Sequence, residues 1–101
     1  MELEKTKLMN DLIDLYGMLL TNNQLMIMEY YYMDDLSLSE IGENLSISRS
    51  AVFDAIKKSN KILMDYEAKL GLLKKENKKK ELIEEINKLS KEEIVKRLEE
   101  L

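Results

Sequence analysis

Apolar residues recur at spacings of three and four along nearly the whole chain, which is the period of an amphipathic helix rather than a strand. The first such stretch, Glu2–Leu20, carries Leu8, Leu12, Leu15, Tyr16, Leu19 and Leu20 on one stripe, with Met9 and Ile13 widening it. Glu2 and Glu4 fall at its N-terminal end, where the helix dipole favours acids. The second, Asn22–Met33, carries Leu25, Met28, Tyr31 and Tyr32, with Ile27 and Tyr30 adding apolar surface. Three consecutive tyrosines cannot all face inward at 3.6 residues per turn, so Tyr30 is assigned to the rim. Leu38, Ile41 and Leu45 mark a short third helix, and Val52, Ile56 and Ser59 the inward face of a fourth. Beyond it the pattern continues through Ile56, Leu63, Tyr66, Leu70 and Leu73, with Ile62 on the same side. The fourth helix is therefore expected to run to about residue 73, a length of about 37 Å. Lys74–Lys80 is strongly basic and reads either as a hinge or as solvated helix. Leu82, Ile83, Ile86 and Leu89, then Ile94, Val95, Leu98 and Leu101, predict a closing helical hairpin joined at Leu89-Ser90.

Cap signals punctuate this pattern. Thr21 with Gln24, Ser37 with Glu40, and Ser90 with Glu93 each have the S/T-x-x-E/Q form of a capping box. Asp34-Asp35 reads as helix punctuation. Within Leu36–Lys61 two short helices are joined by a tight turn at Ser46-Ile47, with Ile47 directed at the core and Ser48 as the next N-cap. Gly42 weakens the first of them by about 1 kcal/mol relative to Ala, and is expected to let another helix approach closely. This is the layout of a helix-turn-helix, in which the start of the second helix enters the DNA major groove. Arg49, Ser50, Phe53, Asp54 and Lys57 fall on its outward side.

Composition narrows the chemistry. The 101 residues include no Pro, Cys or His and three Gly. Disulfides and thiolate metal sites are excluded, and the commonest near-neutral general base is missing. The carboxylate pairs Asp34/Asp35 and Glu84/Glu85 have no His, Cys or phosphate loop beside them, so no enzyme, cofactor or metal is expected. No run approaches the roughly 20 apolar residues of a membrane span, and MELEKTK is unlike a signal peptide, which points to the cytoplasm.

The net charge of −4 is unevenly spread. Residues 1–50 hold three basic and nine acidic side chains, residues 51–80 nine lysines against four acids, and residues 81–101 four basic against seven acidic groups. A duplex-DNA binder normally carries a basic excess, because phosphate contacts supply much of its affinity. Here the excess begins inside the second helix of the motif. It reads either as a phosphate track or as a solvated helix face.

The stretch LTNNQLMIMEYYYMDDLSLSEIGENLSISRSAVFDAIKKSNKIL resembles sigma-factor region 4, in which a Leu-Thr-x-x-Gln start leads through an S-x-x-E-I helix to a Ser-Arg recognition turn. More closely, MELEKTKLMNDLIDLYGMLLTNNQ through KKSNKILMDYEAKL resembles the YlxM family of small bacterial helix-turn-helix proteins. That family is associated with the signal recognition particle pathway through its gene neighbourhood, beside the particle's GTPase and its receptor. The resemblance covers about residues 1–73. It implies an all-α, sigma-region-4-like bundle with an extended fourth helix and a C-terminal helical hairpin. It also implies a regulatory or accessory factor of protein targeting. Ser48, Arg49, Ser50, Phe53, Asp54, Lys57 and Lys61 would occupy the groove-facing positions, with Lys58 joining Lys57 and Lys61 on phosphates of DNA or of the particle's RNA. Asp54 departs from that chemistry, because an acid repels phosphate. Phe53 suits a thymine methyl or a protein partner.

Two domains follow: residues 1–73 as the helix-turn-helix domain, and 74–101 as an extension packing on the long helix or on a second subunit. The partners expected are nucleic acid and, with it, the particle's GTPase. A homodimer through Leu63, Tyr66, Leu70 and Leu73 is also expected, unless that seam is intramolecular. The alternative function is a helix-turn-helix-derived protein-interaction module without DNA binding.

Overall fold

The computed structural model describes residues 3–101, so the expectation for Glu2 lies outside the described residues. The chain is all-helical there: α1 (Leu3–Tyr16), a 3-10 turn (Gly17–Leu19), α2 (Asn22–Tyr32), α3 (Leu38–Leu45), α4 (Arg49–Leu70), α5 (Leu72–Lys88) and α6 (Lys91–Glu99). It divides into two compact units, one ending at Gly71 and one beginning at Leu72.

In the first unit α4 packs against α1, α2 and α3. The core is Met9, Leu12, Ile13 and Tyr16 of α1, Ile27, Met28 and Tyr32 of α2, Ile41 of α3, and Val52, Ile56, Ser59 and Leu63 of α4. The α1 stripe is thus narrower than its spacing suggested. Leu8 is 36% and Leu19 48% exposed, whereas Leu20 is buried. The cause is the 3-10 turn after Tyr16: three residues per turn shift the phase, so Leu19 swings out and Leu20 swings in. On α2, Ile27 rather than Leu25 reaches the core, and Tyr30 and Tyr31 are both half-buried.

Tyr16 is a core residue with a satisfied polar end. Its ring stacks on Tyr66 at 6.0 Å, and its hydroxyl donates to Glu67 Oε1 at 2.7 Å. Tyr32 is tied to α4 in the same way, its hydroxyl lying 3.1 Å from Asn60 Nδ2.

The caps sit where the sequence put them. Thr21 Oγ1 accepts from the Gln24 N–H and Gln24 Oε1 from the Thr21 N–H, and Ser37 and Glu40 make the same reciprocal pair. The Ser37 N–H and hydroxyl beside it hold the Glu40 carboxyl below the usual carboxylate range. The group's contribution is complete above the ordinary glutamate value and is lost as pH falls through the lowered folded value. Glu40→Gln should therefore flatten the acid limb of a thermal-stability profile, and an unchanged limb would count against the pairing.

Between α2 and α3 the chain turns at Asp35, whose φ of 56° is left-handed and suits Asp. At its other end α4 stops at Leu70, short of the expected residue 73. Gly71 adopts φ 62°, and its N–H closes on the Glu67 carbonyl. A left-handed C-cap of this kind ends a helix however well the apolar spacing continues. Leu73 consequently belongs to α5, and the four expected seam residues do not share one helix. Leu63 is fully buried inside its own unit, Tyr66 lies against Tyr16, and Leu70 is 51% exposed.

The second unit is a helical hairpin. Its α5 runs unbroken through Lys74–Lys80, so that basic run is solvated helix and not a hinge. Ser90 caps α6 by accepting from the Glu93 N–H, and Arg97 pairs with Glu85 across the hairpin at 3.2 Å. Neither helix has a fully buried residue.

Candidate nucleic-acid interface

The motif is assembled by the end of α3 and the start of α4. Ser46 takes a left-handed φ of 57°. The Ile47 N–H bonds the Gly42 carbonyl at 3.0 Å, and the Ser46 N–H bonds the Glu43 carbonyl at 3.4 Å. These paired 6→1 and 5→2 bonds are a Schellman cap, closed here on a serine in place of the usual glycine. Ser48 Oγ then accepts from the Ala51 N–H and opens α4.

One expectation for this turn is corrected and another is sharpened. Ile47 does not point into the core but is 38% exposed, because the left-handed step at Ser46 turns the chain outward. Gly42 admits the close approach of the turn and, through it, of the start of α4. A Cβ there would lie 2.7 Å from the Ile47 carbonyl oxygen and 3.6 Å from the Arg49 nitrogen.

The face of α4 opposite its buried stripe is open. Ser48, Arg49, Ser50, Phe53, Asp54, Lys57, Lys58 and Lys61 are all exposed, Phe53 by 53%. On a helix of 100° per residue the buried Val52, Ile56, Ser59 and Leu63 define one side. Asp54 and Lys61 then project almost opposite, with Ser50 and Lys57 flanking them on one side and Lys58 on the other. Phe53 and Arg49 lie nearer the edge. Lys61 pairs with Asp65 at 3.3 Å, but both side chains are exposed, and such a pair contributes little and yields readily to another anion. The face can thus present three lysines and an arginine to a polyanion, with one carboxylate among them.

Other chemistry is scarce. Among the described residues no group of three His, Cys, Asp or Glu could hold a metal ion, and no helix is long and apolar enough to cross a membrane. Sequence reasoning missed how Lys5 of α1 and Tyr31 and Tyr32 of α2 come beside Phe53 and Lys57 to line a common cleft. No periodicity signals a meeting of residues so far apart in the chain.

The chain resembles known sequences over nearly its whole length. Residues 3–101 match the family described as "Putative helix-turn-helix protein, YlxM / p13 like", UPF0122. The UPF0122 protein YlxM of Bacillus subtilis (strain 168) is 49% identical over 96 residues, covering 92% of this chain and 87% of the relative. A UPF0122 protein of Lactococcus lactis subsp. cremoris (strain MG1363) is 44% identical over 103 residues, covering 100% and 93%. One from Streptococcus gordonii is 48% identical over 86 residues, covering 85% and 78%. With its fold, its turn and these matches in agreement, the chain belongs to the UPF0122 family of YlxM/p13-like helix-turn-helix proteins.

Proposed function

We propose that this protein binds nucleic acid through the exposed face of α4 and acts, without catalysis, as a cytoplasmic accessory factor of the signal recognition particle pathway. The observation that carries the binding is the open array of Arg49, Lys57, Lys58 and Lys61 on the second helix of a helix-turn-helix. Flexible cations on a convex helix suit phosphates, and phosphate contacts position a protein on DNA or RNA without specifying sequence. The pathway assignment rests on the family's gene neighbourhood. Immobilised protein should retain the particle's RNA, with its GTPase, or duplex DNA at about 50 mM salt and release the nucleic acid near 200 mM. Failure to retain either nucleic acid at low salt removes this reading.

Asp54 supports a second reading, a protein-interaction module that has kept the fold. An acid close to the middle of the lysine face opposes phosphate binding. If the first reading holds, Asp54→Asn should tighten nucleic-acid binding several-fold at low salt by removing that repulsion. An unchanged or weaker affinity would favour the protein partner.

Self-association is proposed through surface that the units leave open. Leu70 is 51% exposed, and Leu82, Ile83, Val95 and Leu98 of the hairpin are about half exposed. Sedimentation at tens of micromolar should give a dimer and Leu70→Glu a lighter species. A monomer at that concentration removes the dimer.

A further inference from the structure

Beside the lysine face of α4 lies a cleft of about 260 Å³. Tyr31 and Tyr32 from the end of α2 and Phe53 from α4 supply its aromatic surface, and Lys5, Lys57 and Asn60 complete the polar part of the lining. Three of the chain's six aromatic residues are gathered there. Its volume falls below the roughly 300–1,000 Å³ of sites that enclose a whole small molecule, so it suits one ring system or one side chain.

The cleft is held in shape. The rings of Tyr31 and Tyr32 meet edge to face at 4.9 Å, and the Tyr32 hydroxyl is fixed by Asn60. Phe53 alone of the three is more than half exposed, at 53%. It stands one helical turn before Lys57, on the side of α4 that borders the cation array.

The lining contains two cations and no carboxylate. An exposed aromatic surface beside cations is complementary to a flat uncharged ring with an anion attached. A base within B-DNA is stacked on both sides and offers only its edge. Unpaired bases in loops and bulges offer a face, which aromatic side chains take by stacking.

Building on the nucleic-acid reading above, we propose that this cleft receives one unpaired base, stacked on Phe53, with Lys57 and Lys5 on the neighbouring phosphates. The preferred target is then an RNA with an unpaired loop rather than a continuous duplex. Lys58 and Lys61 hold the adjoining stem by its backbone, without a sequence code.

The test uses the full chain and three probes of equal length: an RNA hairpin with 2-aminopurine in its loop, the same sequence closed as duplex RNA, and duplex DNA. The hairpin should bind roughly tenfold more tightly than either duplex, with the 2-aminopurine emission quenched by stacking. Phe53→Leu should bring the hairpin's affinity down to that of the duplexes and abolish the quenching. Equal binding of hairpin and duplexes, or an advantage that survives Phe53→Leu, overturns the cleft and leaves the lysine face standing. No binding of any probe at low salt overturns both. Ring NMR signals of Phe53 and Tyr31 that move with a Leu-containing acidic peptide but not with the hairpin assign the cleft to a protein ligand instead, and overturn the proposal.

Discussion

Reversing Lys57 and Lys61 together to Glu is expected to lower nucleic-acid affinity at least a hundredfold at about 50 mM salt, with little change in the fold. Both side chains stand on the exposed face of α4 and support no core contact. Glu and Lys have similar helix propensities, so the helix itself should persist. Two local costs are predictable. Lys61 pairs with Asp65 one turn on, so Glu there sets two acids at i, i+4, and Glu in place of Lys57 faces Asp54 at i, i+3, each a loss of a few tenths of a kcal/mol. Binding loses far more, because two phosphate contacts vanish and two repulsions replace them. Reversing Lys91 and Lys96 of α6, which are outside the helix-turn-helix, changes net charge equally and should cost less affinity than the α4 pair. Circular dichroism and a binding titration on the same samples settle the matter. Unchanged affinity in the α4 double variant, or an equal loss in the α6 control, would detach the activity from the lysine face.

Gly42→Val is expected to cost about 3 kcal/mol, the upper end of ordinary overpacking. A side chain there meets not a flexible neighbour but the Ile47 carbonyl oxygen, 2.7 Å from the Cβ position, in the segment that carries the Schellman cap and leads into Ser48. Relief requires the turn to move, and with it the N-terminus of α4. In a domain of this size the loss should lower Tm by more than about 10 °C. Gly42→Ala should be milder, because Ala recovers about 1 kcal/mol of helix propensity that offsets part of the clash. A thermal melt in which Gly42→Val matches the native protein would contradict this packing.

Much of the fold was legible because its signals are local. A capping box needs two residues three apart and nothing else, and Thr21/Gln24, Ser37/Glu40 and the Ser48 and Ser90 caps all form. The inward set Val52, Ile56 and Ser59 followed from helical period alone. The errors fall where backbone conformation overrides period. Gly17–Leu19 leaves the α-helical phase and exposes Leu19. Gly71 turns left-handed and ends α4 in the middle of a continuing apolar pattern. The turn at Ser46 was read in its right place, but a left-handed serine carries no composition signal, so the exposure of Ile47 was missed. The exposed lysines of α4 were legible as the polar side of an amphipathic helix. The aromatic cleft was not, because tertiary packing alone brings Lys5, Tyr31 and Phe53 together.

Affinity for a fixed RNA or DNA probe, measured across salt concentrations, decides whether α4 holds a polyanion through its exposed cations. With Arg49, Lys57, Lys58 and Lys61 engaged, log K should fall linearly with log salt at a slope of about −3. A slope near zero, or no binding at the lowest salt, would contradict a polyanion site on α4.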